Sequence, residues 1–324
     1  FDPAATVDQD LDSDFTFTST LTDADGDVAT DTHTVSVTDG AGPLDGEAVT
    51  LNLDEALIQD SDSDTAQVQV GTDVPLASMV FGATSSLVAA TNDGQTLTWS
   101  TQPDGSVTGT IVGQSTPAVT LTLSSVNLTT GTATVTAVLD EAFEHEVGQG
   151  TNSLDLGDIN VVATDIDGDT ANVLVNVLVA DDVPTLSIVE ADAGTATGLD
   201  NKDSVVEGAA AISGSITVDE GADEDGVLEI SLDGGTTTAI TITLDGNSDT
   251  GNKVAVNNGT QALGDLTVDY DGTNVTWSFD PAATVDQDLD SDFTFTSTLT
   301  DADGDVATDT HTVSVTDGAG PLDG

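Results

Sequence analysis

The chain has no cysteine, and its basic side chains number two, Lys202 and Lys253, against 59 acidic ones. Without cysteine no disulfide forms, so stability outside a cell has to come from another source. Nucleic acid is excluded as a partner, because binding its backbone needs a basic patch and this surface repels phosphate. An anionic membrane is excluded for the same reason. No apolar run approaches the roughly 20 residues of a membrane helix, so direct membrane insertion is not expected. No signal peptide opens the chain, and the start at Phe1 reads as a cut inside a larger protein. Aromatic residues are 3% of the total, so any core is aliphatic and lean.

What the chain has in excess is carboxylate. A net charge of -57 repels itself in the compact state, and inorganic cations have to neutralise it. Oxygen-rich donors suit hard divalent ions, calcium above all, while three histidines and no thiolate leave zinc almost nothing. Halophilic solvation also produces acidity, but it does not require clusters at fixed spacing.

A perfect internal repeat sets the organisation. The segment FDPAATVDQDLDSDFTFTSTLTDADGDVATDTHTVSVTDGAGPLDG occupies both Phe1 to Gly46 and Phe279 to Gly324, an offset of 278 residues. A weaker period divides that unit. TDADGD at Thr22, TDIDGD at Thr164 and TDADGD at Thr300 each precede a β-like run and then a proline, Pro43, Pro184 or Pro321. The prolines lie 141 and 137 residues apart, which gives two related modules per unit. Residues 1–43 then read as the C-terminal part of a truncated module, 44–183 as one module, and 184–324 as another with the start of the next linker.

Alternation of period two, as in Phe15, Phe17 and Leu21 against Thr16, Thr18, Thr20 and Thr22, predicts strands almost throughout, with the threonines facing water. Val173, Val175, Val177 and Val179 alternate in the same way, and Leu174 and Leu178 between them suggest burial on both faces. Helix is expected at most over 54–58 and 141–146. Many short strands with no βαβ rhythm predict an all-β chain of tandem Ig-like or cadherin-like Greek-key sandwiches in an elongated array.

The strongest local signal is Asp-x-Asp-Gly-Asp, at Asp23, Asp25 and Asp27, at Asp165, Asp167 and Asp169, and at Asp301, Asp303 and Asp305. Alternate aspartates in a tight turn bring oxygens to one centre, and the glycine lets the backbone turn. Three unneutralised aspartates within five residues repel one another. An acidic hairpin turn without an ion remains the alternative, since Asp-Gly is itself a favoured turn pair. The module junctions carry Asp39, Asp181, Asp182 and Asp317 beside their prolines, with Glu190 or Glu55 early in the following module as further donors. An ion shared there stiffens the joint, and a plain polar linker is the alternative.

Three weaker sets have period-two spacing: Asp8 to Asp14 with their copies Asp286 to Asp292, then Asp60, Asp62 and Asp64, then Asp245, Asn247 and Asp249. They read as solvated faces as readily as ligands. No catalytic site is expected. His33 and His311 share strand faces with valines, His145 stands alone between Glu144 and Glu146, and Trp99, Trp277 and Tyr270 read as core.

The module ends TDADGDVATDTHTVSVTDGAGP and TDIDGDTANVLVNVLVADDVP resemble cadherin-like repeats of bacterial RTX adhesins. That resemblance implies type I secretion to a Gram-negative cell surface and long stacks of calcium-stiffened extender modules that project a distal binding region. It implies a role in cell adhesion or biofilm formation, with calcium ions and neighbouring modules of the same chain as partners. These modules are longer than the family's usual extenders, and no GGxGxD nonapeptides are present. The alternative is a subunit of a self-associating extracellular fibre or surface layer, with other copies of the chain as partners.

Overall fold

The structure is a computed structural model that describes residues 14–37, 42–72, 75–91, 94–143, 145, 150, 152–166, 168–189, 202–222, 226–233, 238–286, 291–316 and 318. Threonine and valine stiffen the backbone at χ1 and favour the extended conformation, and the described residues are strand-rich throughout. The first two strands, β1 (Asp14–Thr22) and β2 (Val28–Ser36), form a two-stranded hairpin that pairs with no other strand among the described residues.

The next nine strands surround one aliphatic core. They are β3 (Val49–Asp54), β4 (Asp62–Gln69), β5 (Leu76–Phe81), β6 (Leu97–Thr101), β7 (Val107–Ile111), β8 (Val119–Asn127), β9 (Thr132–Leu139), β10 (Ser153–Asp165) and β11 (Thr170–Ala180). One sheet has the order β3-β11-β10-β5 and the facing sheet β4-β9-β8-β7-β6. Leu51, Leu53, Val135, Leu139, Val161, Val173 and Val175 fill the space between them.

The last ten strands surround a second, separate core. They are β12 (Thr185–Val189), β13 (Lys202–Val206), β14 (Ile212–Asp219), β15 (Val227–Leu232), β16 (Thr238–Thr243), β17 (Asp249–Asn257), β18 (Ala262–Tyr270), β19 (Val275–Pro281), β20 (Asp292–Thr300) and β21 (Val306–Thr316). Their sheets have the orders β12-β14-β19-β18-β17 and β13-β21-β20-β15-β16. Trp277, Phe279, Phe293, Phe295 and Leu228 are fully buried there. The architecture is all-β, built of two-sheet sandwiches.

Each module carries one parallel pair, β3 with β11 and β13 with β21. This pairing decides where the functional residues sit. The early strand runs beside the last one, so the residues that follow β3 and β13 arrive at the pole from which their module's chain leaves. Glu55 follows β3 at that pole, and Glu207 follows β13 in the same relation to β21. Both accept a backbone amide from the chain ahead of the final hairpin, Glu55 from Phe143 and Glu207 from Val285.

Some local expectations change. Leu174, on the face of its sheet away from the core, is 40% exposed, while Val173, Val175, Val177 and Val179 on the core face are buried. A 3-10 helix forms at Glu55–Asp60, capped by Asp54, whose carboxylate accepts the Ala56 amide. Residues 141–143 are not helical. His311 is wholly buried, 3.0 Å from Asp203 and 5.0 Å in ring centroid from Trp277.

Candidate metal centre

All three acidic loops fold the same way. The first aspartate closes the turn: its amide bonds to the fifth residue's carbonyl, and its Oδ1 accepts the amides of the glycine and of that fifth residue, in Asp23, Asp165 and Asp301 alike. The glycines have φ of +103°, +113° and +101°, the left-handed region in which a side chain is strained. One oxygen of each leading aspartate is thereby committed to the backbone, and in the third loop Asp303 Oδ1 also accepts the Asp305 amide at 3.3 Å.

Their environments differ. Asp23, Asp25 and Asp27 are exposed and bring oxygens within 4.8 Å of one another. Asp165 is buried, whereas Asp169 is exposed beside Gly42. Asp301, Asp303 and Asp305 are all buried, because the β20–β21 turn faces the linker that leaves the first module. There Asp303 and Asp305 bring oxygens within 4.8 Å of Asp181. Asp39, Asp167, Glu190 and Asp317 lie outside the described residues.

The joint is therefore walled by carboxylates from three places: Glu55 at the end of β3, Asp181 and Asp182 in the linker, and the 301–305 loop of the second module. The Gly150 amide crosses it to Asp305 Oδ1 at 2.9 Å, and Ala222 donates to Asp182 at 2.8 Å. A cleft of about 700 Å³ opens beside these groups, between the Glu55–Asp60 turn and residues 219–222. Buried oxygens on Asp181, Asp182, Asp301, Asp303 and Asp305 have no hydrogen-bond partner. An unpaired buried oxygen is costly, and several facing each other are costlier still.

The electrostatics express the same crowding. Burial pushes Asp181 up to about 7 against the pull of His145, with Asp303, Glu55 and Asp305 adding repulsion. Burial and Asp303 push Asp301 up to about 7. Burial also raises Asp182 and Glu55. Neither lysine relieves the joint, since Lys202 pairs with Asp292 at 2.8 Å and Lys253 with Asp265 at 2.7 Å. Asp181, Asp303 and Asp305 could together hold a divalent cation, which would satisfy these oxygens and remove the repulsion.

The weaker sequence candidates have structural partners. Asp62 and Asp64 accept the amides of Asp54 and Asn52 on β3, and Asp245 closes a turn through Asn247. Glu55 was expected at the start of its module. It stands instead at the far pole, where the parallel β3–β11 pair carries it. Nothing in the local spacing around His145 marks it, yet its ring sits 3.2 Å from Glu55, 90 residues earlier in the chain.

No family description and no curated protein matches this sequence. Among solved structures, the chain is similar to a 1.5-MDa bacterial ice-binding adhesin studied for host cell surface retention, at 16% identity and TM-score 0.26, covering 95% of this chain and 75% of that one. A tetra-tandem repeat in the extending region of a large adhesion protein gives 16% identity and TM-score 0.24, with coverages of 94% and 57%. Drosophila N-cadherin EC1-4 gives 11% identity and TM-score 0.27, with coverages of 94% and 59%.

Proposed function

We propose that this chain is a structural extender segment of a secreted bacterial adhesin, in which calcium locks successive sandwich modules into a stiff rod. The observation that carries this reading is the joint itself: buried, unpartnered oxygens of Asp181, Asp182, Asp303 and Asp305 converge from two modules, and neither lysine of the chain reaches them. Folded apart, each module would expose these carboxylates to water. Brought together without a cation, they repel and bend the joint open. Calcium accepts six to eight oxygens in flexible geometry, so it can take donors from both sides of an interface at once.

The functional consequence is mechanical. A rigid joint holds a distal binding region away from the cell, in adhesion or biofilm formation, and no chemistry has to occur along the rod. The outer surface of a Gram-negative cell reached by type I secretion suits this, because millimolar calcium is available outside the cell and the joint sites need it there. The test is small-angle scattering of the chain in calcium and in chelator. Calcium should lengthen the particle and raise the melting temperature, since a ligand that binds only the assembled state stabilises it. Equal lengths and melting temperatures in the two conditions would discard the reading.

A further inference from the structure

The geometry points to a second kind of metal site at the same joint: Glu55, His145 and Asp181 form a mixed nitrogen and oxygen tripod for a first-row transition ion of the zinc type, beside the all-oxygen site. This inference does not require calcium to occupy the joint.

Each of the three side chains has one atom fixed by a partner and the other left over. Glu55 Oε1 accepts the Phe143 amide at 2.8 Å, and its Oε2 is buried with no hydrogen bond. His145 Nδ1 lies 3.0 Å from Asn152 Oδ1, an amide carbonyl that can only accept, so Nδ1 carries a proton and Nε2 is the ring nitrogen left for a metal, which binds there by displacing its proton. Asn152 Nδ2 in turn donates to Asp181 Oδ2 at 3.0 Å, leaving Asp181 Oδ1 without a partner. The side chains of Glu55 and His145 are 0% exposed. Glu55 Oε2 and His145 Nε2 stand 3.2 Å apart yet are not aligned for a hydrogen bond. Ligating atoms of the three residues lie within 4.8 Å of one another.

Imidazole nitrogen is a poor donor for calcium and a good one for zinc, and an amide oriented against the other ring nitrogen is the usual second shell of a histidine ligand. Three protein donors are the number that a tetrahedral ion takes when water or a further carboxylate fills its fourth position. Asn152 binds two of the three ligands at once, so it acts as a positioning residue.

The competing arrangement at these same atoms is an imidazolium paired with Glu55, with no metal. Calorimetry of the chelator-washed chain with zinc, in excess calcium to fill the remaining carboxylates, separates them. One equivalent of zinc should bind; His145→Ala and Glu55→Gln should each lose it, and His33→Ala should keep it. Asn152→Ala should weaken zinc by about 10- to 100-fold. Asp303→Asn, outside the tripod, should keep zinc while weakening calcium. As a check independent of folding in the variants, cobalt added to the wild type should give the visible bands of a low-coordinate nitrogen and oxygen site, and the His145 Nε2 resonance should shift to that of a metal-bound nitrogen. Equal zinc uptake by wild type and His145→Ala, or a His145 ring still doubly protonated in the presence of zinc, overturns the proposal.

Discussion

The amide of Gly150 donates to Asp305 across 2.9 Å, a bond between two modules whose cores are separate. It places a loop of the second module against the end of the first, and with it a ring of carboxylates that would be harmless if solvated. Stability at this joint therefore depends on what fills it.

Asp303→Asn should change sign with the medium. In chelator it removes one of the charges raising Asp181 and Asp301, so the melting temperature rises. In calcium it removes a ligand, so the melting temperature falls relative to wild type. Differential scanning calorimetry in both buffers checks this, and a variant that moves the same way in both would contradict a cation site.

The chelated protein should lose stability as the pH rises. Asp181 and Asp301 sit at about 7, above the 3.8 of a free carboxyl, because burial favours their neutral forms. A raised carboxyl stabilises the fold below its unfolded value and loses that contribution as pH climbs through its folded value. The window is therefore about pH 4 to 7. His145 adds a later loss. Burial works against its charge, but Glu55, Asn152 and Asp181 raise it to about 9, so its share fades as pH rises toward that value. Thermal melts in chelator from pH 4 to 9 read both, and a flat profile would refute the crowding argument.

Phe295→Ala and Phe17→Ala alter the same position of identical sequences. Phe295 is 0% exposed and packs on Trp277, so truncation should cost about 3–5 kcal/mol. Phe17 is 49% exposed, and its loss should stay within about 0.5 kcal/mol. Urea melts followed by Trp277 fluorescence measure the difference.

Gly304→Ala tests the loop rather than its charges. Gly304 holds φ +101°, the left-handed region in which a side chain is strained, and that backbone strain costs about 1–3 kcal/mol. Calcium affinity should fall with it, as the turn that presents Asp303 and Asp305 is strained. Calorimetric titration beside the wild type reads both effects.

Much of the fold was legible because its signals are local. The period-two runs gave the strands, and the Asp-Gly pairs gave the turns. The candidate centre was legible in part: the acidic loops and linker aspartates announce themselves by spacing, but Glu55 and His145 do not. Their partners are 126 and 36 residues away at Asp181, and only the parallel pairing of β3 with β11 and the course of the chain before β10 bring them to it.

The two copies of the 46-residue segment divide the matter between sequence and tertiary structure. Sequence alone sets the hairpin, its register, with Phe17 opposite His33 and Phe295 opposite His311, and the loop whose first aspartate caps it, since these are the same in both. Burial differs completely: Phe17 and Asp25 are exposed, while Phe295 and Asp303 are enclosed. A hairpin's hydrogen bonds close within its own residues, whereas burial is a property of what is placed against it. The apolar face becomes core only when another sheet covers it, and the acidic loop becomes a candidate cation site only when the end of a preceding module meets it.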